Sequence, residues 1–191
     1  MVRLRSACCL LTTLFLLSAC ALQPNRDAMP VREAHESISS FVLEGRVSVR
    51  NGNTAQHAGL VWQHAMASDH IELSGPLGQH AAFLDRDASG ARLETSAHEV
   101  VSAADWGGLS ERVLGAALPL DNMARWVIGV VEADAKKELD PQGRPQQADI
   151  SGWRIKYLRY ESEDPLALPT LIDMQREDIN VRLKVDQWQI N

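Results

Sequence analysis

Apolar side chains recur at every second position at the start of what reads as the globular part of this chain. From Phe41 to Val49 the odd-numbered residues are apolar or glycine, whereas Glu44, Arg46 and Ser48 lie between them. Successive side chains of a β-strand point to opposite sides, so this spacing is typical of a strand with one buried and one solvated face. Such one-sided strands occur mostly in antiparallel sheets. The pattern therefore favours a mainly β fold built from antiparallel strands.

Five further segments repeat this alternation, and short turns separate neighbouring ones. Asn51-Gly52-Asn53 has the composition of a hairpin turn, and Asp87-Ala88-Ser89-Gly90 reads as another turn. Consecutive strands joined in this way predict an antiparallel meander. In the last segment the apolar positions slip by one near Asp186-Gln187, which predicts a β-bulge. The five segments are marked by Ala58, Leu60 and Trp62; Ile71 and Leu73; Ala91, Leu93 and Thr95; Trp153, Ile155 and Tyr157; and Ile179, Val181, Leu183 and Val185.

Three segments have helical spacing instead. A short amphipathic helix is predicted over 31–40, and a second one runs from Trp106 until Pro119 ends it. Asp121 is the predicted N-cap of a third helix, which ends near Gly129. Strands with one apolar face and helices with one apolar face predict a curved sheet covered by helices. Periodicity alone leaves open whether such an interior is filled or holds a cavity.

The N-terminus has the three parts of a secretory signal peptide. Arg3 and Arg5 precede an apolar stretch over 7–17, which is shorter than the roughly 20 residues needed to span a bilayer. The stretch closes on Leu17-Ser18-Ala19-Cys20, which resembles the lipobox of bacterial lipoproteins. That resemblance implies that residues 1–19 are removed and that Cys20 carries the lipid anchor. The alternative is an ordinary signal peptide that contains a cysteine.

Residues 20–31 carry two prolines and mixed charges without an apolar period, so we expect a tether between the lipid and a folded domain over 32–191. Ala21 follows the cysteine where aspartate would suggest retention at the inner membrane, which favours the outer membrane. Without residues 1–19 the chain has 17 Lys and Arg against 25 Asp and Glu, so it does not have the charge of a nucleic-acid-binding protein. Cys8 and Cys9 leave with the signal peptide, and no cysteine remains for a disulfide or metal site.

The residues that most often carry catalysis show no recognisable arrangement. No pair among the six histidines has metalloprotease spacing, and the chain lacks the serine-elbow, phosphate-loop and dinucleotide motifs. We expect each histidine to be solvated at the surface. The sequence therefore predicts no enzyme, no metal site and no cofactor, although a hydrolase with an unrecognised site stays as a third hypothesis.

One turn places a large apolar residue at its tip. In Gly75-Pro76-Leu77-Gly78, Pro76 suits the second position of a turn, so Leu77 lies at or near the tip. Leu77 either folds back onto the core or stays exposed, where burial in lipid would gain roughly 1.5–3 kcal/mol. A similar choice applies to the tryptophans, which belong to a packed core or line a lipid-binding interior. These tryptophans are Trp62, Trp106, Trp126, Trp153 and Trp188.

Together these features resemble the LolB family of outer-membrane lipoproteins. The resemblance implies an incomplete antiparallel β-barrel under a lid of short helices, with an apolar cavity for acyl chains. It also implies a monomer that is anchored to the periplasmic face of the outer membrane, accepts lipoproteins from a LolA-like periplasmic carrier and inserts them without nucleotide. The exposed loop leucine of the family falls on Leu77, between Pro76 and Gly78. The resemblance rests on Phe41 to Arg46, Gly75 to Gly78, Leu114 to Leu120, Arg125 to Gly129, Gly152 to Tyr157 and Leu168-Pro169.

The inward-facing residues of the strands and helices are the candidate lining of that cavity. Their shared parity fits a packed core and a cavity equally well, so the lining is a hypothesis. A lipid-anchored structural or lipid-binding module without transfer activity is the alternative function. The candidate lining residues are Leu43, Val47, Leu60, Trp62, Leu93, Trp106, Trp126, Trp153 and Ile155.

Overall fold

The computed structural model describes residues 31–191, which form one antiparallel sheet and three helices within that range. The predicted signal peptide, lipidation site and most of the tether lie outside the described residues. In chain order the elements are α1 (Val31–Glu36), β1 (Ser40–Asn51), β2 (Thr54–Ala65), β3 (Ser68–Ser74), β4 (His80–Asp87), β5 (Gly90–Thr95), β6 (Val100–Ala103), α2 (Trp106–Leu114), α3 (Leu120–Val127), β7 (Lys136–Leu139), β8 (Pro145–Ile150), β9 (Trp153–Tyr160), β10 (Pro169–Arg176) and β11 (Ile179–Ile190).

The sheet has eleven strands and does not close into a barrel. Its order is β6-β5-β4-β3-β2-β1-β11-β10-β9-β8-β7, so the first and last halves of the chain meet where β1 pairs with β11. The four-residue strands β6 and β7 form its two edges. The predicted mainly β fold, an open sheet with few helices, is thus confirmed.

The predicted β-bulge lies in the β1–β11 pair. Glu44 pairs with Gln187 and Gly45 with Val185, so Asp186 is the extra residue. The bulge returns the apolar side chains of β11 to the inner face of the sheet. Gly45 lies against β11 at this point, and a Cβ atom there would come within 2.1 Å of the Lys184 carbonyl oxygen.

The helices lie where they are predicted, with different ends. α1 is shorter than predicted because it stops at Glu36, and α2 ends at Leu114, where Gly115 takes a left-handed conformation (φ 68°) before Pro119 is reached. The prediction that Asp121 caps α3 is wrong. Pro119 occupies the cap position, and the Asp121 carboxylate lies 3.6 Å from Arg86 instead. Gly129 (φ 82°) follows the end of α3 as predicted, and its amide donates to the Trp126 carbonyl.

The core lies between the inner face of the sheet and the two later helices. Trp126 of α3 and Trp153 of β9 are almost fully buried, with ring centroids 6.3 Å apart. Tyr157 donates a 2.9 Å hydrogen bond to the Trp126 carbonyl, which joins β9 to the end of α3. Therefore α3 packs against the inner face of the C-terminal half of the sheet, whereas α2 covers the inner face of the N-terminal half.

Candidate functional site

An apolar pocket lies between α2 and the inner face of β1 to β5. Its volume is about 350 Å³, within the range of ligand-binding pockets. Val47 and Leu93 line it from the sheet, and Trp106 and Leu109 line it from α2. The polar residues of its wall include Gln56, His57, Ser74, Thr95 and Ser110. A pocket with so few polar groups suits a hydrocarbon ligand.

A second, smaller pocket of about 130 Å³ adjoins the first. Every residue that lines it is apolar, and they include Leu60 and Trp62 on the sheet and Met123 on α3. The two pockets share seven lining residues, so one set of side chains stands between them. The shared residues are Val47, Val49, Leu73, Leu84, Leu114, Leu118 and Leu120.

The roof over both pockets is formed by α2 and the segment that leads to α3. Asp105 caps α2 by accepting from the Gly108 amide at 2.8 Å, and buried Ser110 accepts from the Leu118 amide at 2.8 Å. Two side chains of the sheet donate to roof carbonyls: Asn51 to Leu114 at 3.1 Å and Arg176 to Ala117 at 3.0 Å. Arg112 of α2 donates to the Ser102 carbonyl of β6, and most of the remaining contact between the roof and the sheet is apolar.

The structure divides the nine candidate lining residues into two groups. Val47, Leu60, Trp62, Leu93 and Trp106 line one or both pockets. Leu43, Trp126, Trp153 and Ile155 lie in the packed core instead, each with at most 1% exposure. Leu43, Trp153 and Ile155 face the same side of the sheet, and Trp126 belongs to α3, which lies against the strands there. Leu114, Leu118 and Leu120 are lining residues that the sequence analysis missed. The signal was present, because Leu118 and Leu120 are two apolar residues on either side of Pro119, where one helix has ended and the next begins.

The loop between β3 and β4 exposes Leu77 at its tip. Pro76 and Leu77 occupy the central positions of a turn that is closed by a 2.9 Å hydrogen bond from the Gly78 amide to the Gly75 carbonyl. Gly78 has φ 79°, which favours glycine, and the Gln79 side chain accepts from the Leu77 amide at 3.1 Å. Leu77 is 93% exposed, so it does not fold back onto the core. The loop thus holds an apolar side chain out in solvent with a fixed backbone.

The same loop forms part of the pocket. Ser74 and Gly75 line the larger pocket, and Leu77 follows two residues later. The exposed leucine therefore lies close to the pocket along the chain.

A buried ion-pair network lies at the other end of β3. Asp69 accepts from Trp62 at 2.8 Å and from Arg86 at 2.7 Å, and the His64 imidazole lies 2.6 Å from it. Burial alone would raise the pKa of Asp69, but these three donors outweigh it and hold the pKa below its usual value. Because Arg86 also faces Asp121, the network connects the sheet to α3. It is a structural connection between two elements.

The prediction that every histidine is solvated is wrong for His35. It is 2% exposed, and its Nε2 lies 3.2 Å from the Leu166 carbonyl oxygen. Burial lowers the pKa of its imidazole. The helical period of 31–40 already places His35 next to Ala34 and Ile38, but one polar residue among charged neighbours did not reveal that it packs inward.

Two further findings apply to residues 31–191. Their side chains form no cluster of histidine, cysteine, aspartate or glutamate with the arrangement of a metal site. None of their helices has the length and hydropathy needed to cross a membrane. Cys20 lies outside this range.

Comparison with solved structures supports the fold. The chain is similar to a domain from Vibrio parahaemolyticus assigned to outer-membrane lipoprotein sorting, with a TM-score of 0.50 and 11% identity over 84% of this chain and 89% of that one. At this identity the likeness shows the shared architecture of an open, partly barrel-shaped sheet.

Comparison of sequences identifies the family. Outer-membrane lipoprotein LolB of Azoarcus sp. strain BH72 is 37% identical over 92% of this chain and 90% of its own length. The protein of the same name from Nitrosomonas europaea is 40% identical over 84% of this chain and 78% of its own. The family model described as outer membrane lipoprotein LolB matches residues 39–188, which is nearly all of the described domain. The chain belongs to the LolB family of outer-membrane lipoproteins.

Proposed function

We propose that this protein accepts lipoproteins from a LolA-like periplasmic carrier and inserts them into the outer membrane. The observation that carries the proposal is the position of the apolar pocket beside the loop that exposes Leu77. The pocket would hold the acyl chains of the cargo, and the loop would contact the bilayer that receives them. Family membership supports a role in outer-membrane lipoprotein localisation.

Burial of hydrocarbon can drive both steps without nucleotide. Each methylene that leaves water gains about 0.8 kcal/mol, and a tenfold change in affinity needs about 1.4 kcal/mol. A pocket that shields two more methylenes than the carrier does would therefore favour transfer by about tenfold. The bilayer shields the whole chain, so it is the final acceptor.

The shared wall between the two pockets indicates how a longer chain would enter. Leu114, Leu118 and Leu120 belong to the roof, whereas the other shared residues belong to the sheet. A small outward shift of the roof would join the two pockets into one. Because the roof is held by few directed hydrogen bonds, such as those from Asn51 and Arg176, the cost of this shift is modest.

The anchor would keep the acceptor beside its membrane. In this proposal Cys20 carries the lipid, and residues 20–31 connect it to the domain. Two or more acyl chains give stable anchoring, whereas a single chain binds only marginally. The protein acts as a monomer because one domain supplies both the pocket and the loop.

Cargo acceptance can be tested with an acylated lipoprotein bound to the carrier. Transfer to this protein without nucleotide is the expected result. Ala58→Trp fills the pocket from β2, and we expect it to lower acceptance by at least about tenfold, since burying even two methylenes is worth that much. Ala55→Trp is the matched control, because Ala55 is exposed on the same strand. No transfer to a folded wild-type protein would refute the proposal, and binding of free acyl chains without transfer would favour a lipid-binding module.

Delivery can be tested by adding vesicles to the loaded protein. Leu77→Glu should leave acceptance intact and impair delivery, because a charged tip cannot enter the bilayer. Leu139→Glu is the control, since Leu139 is also exposed but lies on the edge strand β7. A Cys20→Ala protein should still accept cargo. Equal loss of acceptance and delivery in Leu77→Glu would indicate that the loop serves folding instead.

A further inference from the structure

Three histidines on or next to the outer face of β3 to β5 each lie beside a carboxylate, and they are His70 on β3, His80 at the start of β4 and His98 in the β5–β6 loop. The imidazole Nδ1 of His70 is 2.6 Å from Asp85, and that of His98 is 3.3 Å from Glu94. The Nδ1 of His80 is 3.8 Å from Glu72. All three imidazoles are partly exposed. We call this surface the histidine ladder.

An aromatic ring fixes two of these imidazoles. Phe83 of β4 lies on the outer face, and the rings of both His70 and His80 stack on it, with centroid distances of 5.6 and 3.7 Å. The stacking holds the two imidazoles against the sheet. The ladder is therefore an ordered surface of the domain.

The ladder also holds carboxylates and an arginine. Besides the three histidines it holds Glu72, Asp85, Asp87 and Glu94, with Arg92 beside Glu94 at 2.7 Å. Glu99 lies in the adjoining β5–β6 loop. The outward side chains of the flanking strands β2 and β6 add no carboxylate, and His57 of β2, which also borders the apolar pocket, adds one imidazole. The formal charge of the ladder and Glu99 is thus −4 with its three histidines neutral and −1 with all three protonated.

The ladder and the Leu77 loop belong to the same two strands. Glu72 precedes Leu77 by five residues on β3, and His80 follows it by three at the start of β4. A bilayer that receives Leu77 would therefore also face the end of the ladder. Most membrane surfaces of bacteria are anionic, so a ladder with negative charge would oppose that approach.

We propose that the histidine ladder is the surface that meets an anionic bilayer when Leu77 inserts, and that its protonation promotes this contact. The inference rests on the proposed function and adds its regulation. Each elementary charge near an anionic surface changes binding by about fivefold. Histidine ordinarily titrates between about pH 5 and 8, whereas the carboxylates stay ionised there. Acidification in this range therefore removes most of the repulsion that opposes the apolar contact of Leu77.

The test uses the Cys20→Ala chain, which has no lipid anchor, and vesicles of phosphatidylethanolamine with one quarter phosphatidylglycerol. Sedimentation with vesicles should show at least about tenfold stronger binding at about pH 5.5 than at about pH 7.5. Phosphatidylcholine vesicles should show little change. Leu77→Glu should abolish binding at both pH values. Equal binding of Leu77→Glu and its parent would overturn the inference.

Two sets of variants separate the ladder from the overall charge of the protein. The triple variant His70→Gln, His80→Gln, His98→Gln should lose most of the pH dependence. Glu72→Gln with Glu99→Gln should strengthen binding at about pH 7.5, whereas Asp134→Asn with Glu138→Gln, which changes the net charge equally, should not. Equal effects of the two pairs, or full pH dependence in the triple variant, would refute the ladder.

Failure of the inference can be told apart from failure of the proposed function. Acceptance of cargo from the carrier needs no vesicles, so the ladder variants should accept it as the parent does. If the parent accepts and delivers cargo equally well at both pH values, the inference is wrong and the proposed function stands. If it accepts no cargo at either pH, the proposed function is wrong.

Discussion

Replacing Gly45 with alanine should separate the two halves of the sheet at their junction. The added Cβ would lie 2.1 Å from the Lys184 carbonyl oxygen and 3.0 Å from the Val185 Cα, whereas ordinary contact begins at 3.4 Å. β1 and β11 would have to move apart locally by about 1.3 Å, which is enough to break the neighbouring ladder hydrogen bonds. Overpacking costs about 1–3 kcal/mol and two lost bonds about 1 kcal/mol each, so we expect about 4 kcal/mol of destabilisation.

Thermal and urea unfolding would measure this loss. At about 2–4 °C per kcal/mol for a domain of this size, Tm should fall by about 8–16 °C. Gly107→Ala is the matched control, because a Cβ there would lie 3.5 Å from the Asp105 carboxylate within a helix, and we expect it to stabilise by about 0.5–1 kcal/mol. If Gly45→Ala lowered Tm by no more than about 2 °C, the close approach of β1 and β11 would not be rigid, and the reasoning would be wrong.

Three further predictions concern buried polar groups and the pocket. Asp69→Asn should lower the free energy of unfolding by about 3 kcal/mol because Arg86 loses its buried partner. Since the pKa of Asp69 is held low in the folded state, the parent should lose this contribution as pH falls below about 4, whereas the variant should not. Urea unfolding across this pH range would show the difference. Burial raises the pKa of Tyr157 and of Tyr160, so the stability of the folded protein should fall as pH rises above about 10. Tyrosinate absorbance should then appear only as the protein unfolds. Titration of either tyrosine near pH 10 in the folded protein would contradict this. An apolar fluorescent dye should bind the parent and Ala55→Trp but bind Ala58→Trp at least about tenfold more weakly, and equal affinities would place the dye outside the pocket.

The strands with a clear apolar alternation could be predicted from sequence, and the others could not, including β4 and β10, which also pack against the core. The alternation over 41–49 and the slip near Asp186 predicted β1, β11 and the bulge, whereas the pairing of the two strands is known from the structure. β4 was missed because Ala81, Ala82, Phe83 and Leu84 are apolar in a row. The edge strand β6 has only four residues, and β7 and β8 are mostly polar, so none of the three shows an apolar period.

The strand periodicity left open whether the inner face holds a pocket, and it did not predict which residues line one. Leu93 and Ile155 share the inward parity of their strands, yet Leu93 lines the pocket and Ile155 is packed under α3. This difference depends on which strands each helix covers, and that is a property of tertiary packing. The turn around Leu77 was predicted from Pro76 and Gly78, but the sequence left open whether Leu77 folds back, and the structure shows it exposed.

The unclosed sheet also determines how the pocket can change size. In a closed barrel every strand is paired on both sides, so a larger interior requires broken ladder bonds or a new register. Here β6 and β7 are each paired on one side only, and β6 connects directly to α2. The sheet can therefore flatten or curl while the hydrogen bonds between its strands stay intact. Such compliance would let one pocket fit acyl chains of different length and number, with no strand leaving its neighbours.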